Sequence, residues 1–139
     1  MNRRELQPEA VSKPAAEYAQ GIEISGARTM YHLLERKTVY VAGQVPCDAS
    51  GALVGEDDFK AQARQVFFNV QAVVEEAGGS MSDIVRLCVY ITDISKYAEY
   101  CEVRAEFLTE PYPASTLVEV SGLVKPEWMI EADAIAVIA

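Results

Sequence analysis

The spacing of apolar residues predicts two helices, and the first of them gives the clearest pattern in the chain. It covers residues 57–77, where apolar side chains recur every three or four positions and form one stripe. The stripe comprises Phe59, Ala63, Val66, Phe67, Val70, Val73, Val74 and Ala77. Asp57 and Asp58 suit the positive end of this helix, and Gly78 and Gly79 suit its C-terminal stop.

The second predicted helix covers residues 95–108. Ser95 would act as its N-cap, and Pro111 and Pro113 lie beyond its end, where they prevent it from continuing. Its inner stripe is expected to comprise Tyr97, Tyr100, Cys101, Arg104 and Leu108. Cys101 on such a stripe is typical of a packed core residue. The alternative is a nucleophile, although no neighbouring base is visible in the sequence.

Alternating or β-branched runs predict strands around these helices. They are residues 19–24, 28–34, 38–42, 85–92, 114–120 and 128–138, of which the first two would form a hairpin. The first dozen residues show no periodicity, so we expect them to wrap over the surface or stay mobile. The order is β-β-α-β-α-β-β or close to it. That order indicates a single α+β domain with a mixed sheet and both helices on one face.

The other face of this sheet would be bare and partly apolar. Either Val118 and Val120, or Ile135 and Val137, must point to the side that the helices leave open. A bare apolar sheet face implies that copies of the chain associate with one another.

Composition and charge narrow the function classes. The 139 residues are half hydrophobic, enough for one domain with a core, and no apolar run is long enough to span a membrane. The N-terminal stretch lacks the apolar region of a secretory signal. Three cysteines at unrelated spacings fit neither a disulfide framework nor a zinc pattern, which favours reduced thiols in the cytoplasm. A net charge of −9 argues against a nucleic-acid partner, which needs a basic stripe.

The best candidates for acid–base chemistry are Glu131 and Asp133, which lie two apart in an otherwise apolar run. Residues two apart on a strand share a face, and two like charges there raise the pKa of one carboxyl. A carboxyl with a raised pKa suits general acid–base catalysis near neutral pH. The alternative is that each carboxylate pairs with an Arg or Lys from a neighbour and only anchors the assembly.

For several other residues the sequence allows both a functional and a purely structural interpretation. Tyr18 and Trp128 would line either a pocket or an interface. Gly43 follows a strand, and it either lets a backbone N–H approach a ligand or forms a simple turn. His32 is the only histidine and fits a surface residue, so a metal site with two histidines is excluded. Phosphate-loop and zinc-hydrolase motifs are absent from the sequence.

Several segments carry a resemblance that extends over nearly the whole chain from about Lys13. They are AEYAQGIEI at 16–24, VAGQVP at 41–46, AQARQVFFNVQAVVEEAGGSMSDIVRLCVYITD at 61–93, and PASTLVEVSGL with IEADAIAV between 113 and 137. In this order they resemble the Rid family, also called YjgF or L-PSP proteins. The resemblance implies a chorismate-mutase-like α+β fold. It also implies a barrel-like homotrimer with ligand sites in the clefts between subunits.

The same resemblance implies an activity. The best-known members hydrolyse 2-imino or enamine acids to 2-oxo acids and ammonia, and they need no cofactor. In those members an Arg within a Pro-Ala-Arg-Ser motif clamps the substrate carboxylate through two hydrogen bonds. Here the motif reads Pro113-Ala114-Ser115-Thr116. Ser115 therefore stands at the Arg position, and a hydroxyl cannot replace a bidentate cation.

Three further family positions differ and three match. Ala42, Cys101 and Leu117 replace a Ser, an Asn and a Cys of the family. The matching residues are Tyr18, which stacks near the ligand in the family, Gly43, whose N–H faces it, and Glu131, which orients the attacking water. The resemblance thus implies Glu131 as the catalytic residue. The substrate-binding residues it implies are Tyr18, Ala42, Gly43, Cys101, Ser115, Thr116 and Leu117.

Residues 31–38 look like an insertion in the first hairpin relative to the family. Arg28, Arg36 or Lys37 would then supply the missing anion clamp from a new direction. Together these observations predict a trimeric Rid-like imine or enamine hydrolase that acts on a small metabolite without metal or cofactor. The alternatives are a non-catalytic metabolite-binding or regulatory protein, and a ribonuclease, against which the acidic charge counts.

Overall fold

The described part of the chain forms a six-stranded sheet with two helices. The structure is a computed structural model, and it describes residues 2–14, 18–26 and 36–139. The strands are β1 (Asn2–Leu6), β2 (Gly21–Ser25), β3 (Lys37–Gln44), β4 (Ile84–Ile91), β5 (Ala114–Glu119) and β6 (Ile130–Ile138). The helices are α1 (Phe59–Glu76) and α2 (Tyr97–Phe107).

The predicted mixed sheet is confirmed. Its strand order is β1-β2-β3-β6-β4-β5. All neighbouring strands are antiparallel except β4 and β5, which run parallel. A parallel pair needs a crossover connection, and α2 lies in the connection between β4 and β5. The last strand, β6, inserts between β3 and β4 and so joins the two halves of the sheet.

The predicted apolar stripe of α1 is also confirmed, because all eight of its residues are buried. The helix begins after Asp58, whose side chain accepts a hydrogen bond from the Ala61 N–H at 3.0 Å. Past its end, Gly78 adopts a φ of 86°, which glycine reaches without strain. The stripe packs on β3 and β6. The small side chains that β6 presents to the core are Ala132, Ala134 and Ala136.

The start of α2 corrects one prediction. The helix begins at Tyr97, and Ser95 is not its N-cap. Instead the Asp93 carboxylate accepts a hydrogen bond from the Ser95 N–H at 2.9 Å and caps a short 3-10 turn ahead of the helix. The predicted stripe is wrong at Tyr97, which is 52% exposed, and it missed Val103, which is fully buried.

Residues 2–6 form the edge strand β1, which the sequence pattern did not predict. This strand pairs with β2, and the Arg4 guanidinium donates a hydrogen bond to the buried Glu23 carboxylate at 3.0 Å. Only Leu6 of the five strand residues is buried, so the sequence shows no alternation there. The predicted strand 28–34, with His32 and Arg28, lies outside the described residues. The predicted insertion 31–38 is described only from residue 36, and Lys37 and Thr38 begin β3.

The sheet face opposite the helices is partly apolar, as predicted. Tyr40 pairs with Ile135 across β3 and β6, and Thr38 pairs with Val137. Tyr40 is 47% exposed, and Val118 on β5 is 42% exposed. We call this side of the sheet the open face.

Candidate functional site

Glu131 lies on the open face, near the start of β6, where it pairs with Tyr90 of β4. Its carboxylate lies directly over Gly43 of β3. A Cβ atom built on Gly43 would stand 2.0 Å from Glu131 Oε1, so a larger residue there would displace the carboxylate. The pairing of β3 with β6 is irregular between Val41 and Gln44, which places Gly43 in a β-bulge. The structure therefore brings together Gly43 and Glu131, two of the residues that the sequence singled out separately.

The pKa of the Glu131 carboxyl is raised above its ordinary value. Half-burial is the larger cause, because it disfavours the charged form, and the negative charge of Asp133 adds to it. No hydrogen bond or cation among the described residues offsets this effect. Glu131 is thus a carboxyl that can both accept and return a proton closer to neutral pH than an exposed Glu would.

Asp133 has a different environment from Glu131. The Tyr90 hydroxyl donates a hydrogen bond to the Asp133 carboxylate at 3.0 Å. That bond is the main cause of a raised pKa at Tyr90, and burial adds to it. Within the described residues Asp133 therefore pairs with a phenol, and the alternative in which an Arg or Lys of a neighbour pairs with it stays a prediction.

The bulge that positions Gly43 is held by two buried glutamines. The Ala42 N–H donates to the Gln20 carbonyl oxygen at 2.9 Å, so it is already occupied. The Gln44 amide donates to the Gln20 side-chain oxygen at 2.8 Å and to the Ala42 carbonyl oxygen at 3.1 Å. Both glutamines are buried. Neither glutamine was predicted as a site residue, although a polar residue at a core position of a strand is a usable signal.

A second group of predicted residues lies elsewhere, in a groove between α2 and β5. Ser115 and Leu117 line this groove, which has a volume of about 600 Å³. We call it the α2–β5 groove; its lining is completed by Ile94, Tyr97, Tyr100 and Arg104. Cys101 lies beside it on α2, where its thiol interacts with Tyr97 and raises the pKa of that phenol. The sequence placed Arg104 on the helix stripe without giving it a function.

The strand register assigns the two groups to opposite faces of the sheet. Ser115 pairs with the buried Leu87, so it faces the helices, and two residues later Leu117 does the same. Glu131 pairs with Tyr90 on the open face. Thr116 pairs with Cys88 and also faces the open side, away from the groove. The sheet thus separates the α2–β5 groove from Glu131 of the same chain.

Tyr18 belongs to neither group. It is 51% exposed, and it lines another groove together with Lys125 and Trp128. The described residues therefore place the predicted site in three locations: Glu131 with Gly43 and Ala42, the α2–β5 groove with Cys101, and Tyr18 near Trp128.

No cluster of three or more His, Cys, Asp or Glu side chains is arranged to hold a metal ion within residues 2–14, 18–26 and 36–139. In the same ranges, no helix combines the length and the hydrophobicity that crossing a lipid bilayer would take.

Comparisons with known proteins give a consistent family. Residues 10–138 match the family model described as Endoribonuclease L-PSP. A RutC family protein of Pyrococcus abyssi is 36% identical over 128 residues, which cover 92% of this chain and 91% of that protein. The crystal structure of RidA from a Psychrobacter species has a TM-score of 0.79 at 34% identity and covers 97% of this chain and 99% of its own.

A further solved structure carries a ligand. The structure of TdcF from E. coli with bound serine has a TM-score of 0.80 at 29% identity, and it covers 98% of this chain and 99% of its own. The mixed sheet with two helices is thus the fold of these proteins. The chain belongs to the Endoribonuclease L-PSP family, the YjgF or Rid-like proteins.

Proposed function

We propose that the protein hydrolyses the C=N bond of a small imine or enamine acid in sites formed between copies of the chain. The observation that supports this most is the Glu131 carboxyl. It is half-buried, it has a raised pKa, and it stands over a glycine that leaves room beside it. A carboxyl in that state is suited to move a proton in each direction during one reaction.

The reaction needs two proton transfers. The imine reacts in its protonated form, having taken one proton from solvent. Water adds to its carbon while the Glu131 carboxylate accepts a proton from that water, and the C=N π electrons pass to nitrogen. The protonated Glu131 then returns its proton to the nitrogen of the resulting carbinolamine. Ammonia leaves as the C–OH bond becomes C=O, and the hydroxyl proton is released. An imine and one water therefore give one carbonyl compound and one ammonia. Because activated imines hydrolyse readily, positioning the water supplies much of the required catalysis.

The arrangement on two faces supports a site shared between copies. The α2–β5 groove and Glu131 lie on opposite faces of one sheet, so one small ligand cannot contact both in one chain. A second copy that docks its open face against the first would bring its Glu131 to the groove. The exposed Tyr40 and Val118 of the open face favour such docking, since apolar side chains gain by leaving water. The homotrimer implied by the family resemblance is the proposed assembly.

Ammonia release tests this proposal. The enzyme is supplied with 2-aminoacrylate, or with bulkier enamine acids generated in situ, and ammonia is measured against the uncatalysed rate. Glu131→Gln keeps the size of the side chain but cannot accept a proton, so we expect kcat to fall by about 10²–10⁴-fold. Glu127→Gln removes an exposed carboxylate from the loop before β6 and serves as the control. No ammonia with any substrate, or an unchanged rate in Glu131→Gln, would contradict the proposal.

A second candidate function is binding of a metabolite without turnover. Ser115 supports it, because no cation stands at the position where the deaminases carry their arginine. The related TdcF structure holds a serine, an amino acid that it binds in the crystal. A ligand that raises the melting temperature of the protein, with no ammonia or carbonyl product, would favour this function.

A further inference from the structure

Arg104 has no charged partner in the described part of the chain. The other cations of the two helices, including their flanking turns, are paired with glutamates: Lys60 with Glu102, Arg64 with Glu106, and Lys96 with Glu99. Arg104 instead lies half-buried in the wall of the α2–β5 groove. Its guanidinium carbon is 5.7 Å from the centre of the Tyr112 ring. Such a contact holds the side chain in place but leaves the positive charge available to an anion.

The hydroxyl groups of Tyr97, Tyr100 and Ser115 belong to side chains that line the same groove as this charge. The Tyr100 hydroxyl is shielded from solvent and has no hydrogen-bond partner of good geometry among the described residues. Burial raises the pKa of Tyr100, and the nearby Ser115 hydroxyl and the Arg104 charge oppose that shift. A buried polar group without a partner costs free energy, which a ligand would recover by accepting its hydrogen bond. A carboxylate can accept hydrogen bonds from one cation and several hydroxyl donors at the same time, and this groove supplies both kinds of donor.

The remaining walls of the groove are apolar. Ile94 and the ring of Tyr97 are each about half exposed, and Leu117 is partly buried beside them. The volume of about 600 Å³ lies within the range of small-molecule sites. An acid with an apolar side chain would cover these residues, whereas a purely polar acid would leave them in water.

We infer that Arg104 binds the substrate carboxylate in the α2–β5 groove, in place of an arginine at position 115. We infer also that the groove selects 2-imino acids with apolar side chains over the smallest ones. The identification of the substrate as an imino acid rests on the proposed function. The binding of a carboxylate by Arg104 does not. Arg104 approaches from the helix, so the carboxylate sits against α2 and the apolar group against Ile94 and Leu117.

A binding measurement tests the inference without turnover. The oligomeric wild-type protein is titrated with 4-methyl-2-oxopentanoate, with pyruvate and with the neutral amide of the former, and binding is followed by calorimetry. We expect the branched acid to bind more tightly than pyruvate and at least about tenfold more tightly than its amide. Arg104→Gln should weaken binding of the branched acid by about tenfold or more, and Arg104→Lys should recover part of that lost affinity. Arg64→Gln removes a helix cation that Glu106 already neutralises, and should leave binding unchanged.

Each result separates this inference from the proposed function. Equal binding of acid and amide, or undiminished binding in Arg104→Gln, overturns the inference even if wild-type protein releases ammonia. Conversely, Glu131→Gln should bind the branched acid as wild type does while losing turnover. If acid binding depends on Arg104 but the protein hydrolyses no imine, the inferred binding site is supported and the proposed hydrolase function is contradicted. With an imine acid as substrate, Arg104→Gln is expected to raise KM more than it lowers kcat, because the carboxylate contact is the same before and during reaction.

Discussion

The contact between Gly43 and Glu131 gives the sharpest prediction. In Gly43→Ala the new methyl carbon would stand 2.0 Å from Glu131 Oε1 and 3.0 Å from its carboxyl carbon. Non-bonded carbon and oxygen atoms need about 3.5 Å, so the carboxylate has to move by about 1.5 Å. The backbone itself tolerates alanine, since Gly43 is not among the glycines with positive φ. The substitution therefore displaces the proposed catalytic group and little else.

The expected effect on turnover is large and the effect on stability is small. A displacement of about 1 Å in a catalytic group costs about a hundredfold in rate, so we expect kcat for ammonia release to fall about that far. A side-chain tip that swings aside costs about 1 kcal/mol or less of unfolding free energy, measured by urea titration. Gly122→Ala is the control, because a Cβ there meets no atom within 4 Å.

Coupling between the two residues sharpens the test. If Gly43→Ala acts only by moving the carboxylate, it should have no further effect on kcat in a chain that already carries Glu131→Gln. Wild-type turnover in Gly43→Ala would show that Glu131 does not act from its observed position. A double variant whose fold loss of kcat equals the product of the two single losses would lead to the same conclusion.

Two pH effects follow from the raised pKa of Glu131. Because the native state holds this proton more tightly than the unfolded chain, stability should fall as pH rises from the ordinary Glu value through the raised pKa. Glu131→Gln should therefore be more stable than wild type near neutral pH, and thermal melts should show the difference shrinking at lower pH. An unchanged or lower melting temperature at neutral pH would contradict the assignment. The kcat of wild type should decline on the acid side as the Glu131 carboxylate is protonated, and a profile without that decline would argue against Glu131 as the base.

Much of the fold could be predicted from local pattern. The α1 stripe repeats every three to four residues, and β6 alternates buried and half-buried residues along its whole length. These signals are strong because each element has one face toward the core. The strand β1 gave no such signal, since only Leu6 of it is buried and its place is fixed by pairing with β2.

The arrangement of the site could be predicted only in part. Glu131 and Gly43 stand out in the sequence, but their contact depends on the bulge in β3 and on the register between β3 and β6. Ser115 and Leu117 face away from Glu131 because of the pairing of β5 with β4, which joins distant segments. Arg104 occupies a stripe position like any other, and only the folded chain shows it beside Ser115 with no ion pair to any described residue.

We propose that each site takes Glu131 from one copy and the α2–β5 groove from another, and mixing two kinds of subunit tests this arrangement. Glu131→Gln lacks the proton acceptor, and Ser115→Trp fills the groove, so each variant alone should be inactive. The two are co-expressed with different tags, and oligomers that carry both tags are purified. A cyclic trimer with both kinds of chain always holds one site with two intact halves, so about one third of wild-type ammonia release should return. No recovery in mixed oligomers would contradict a site shared between copies.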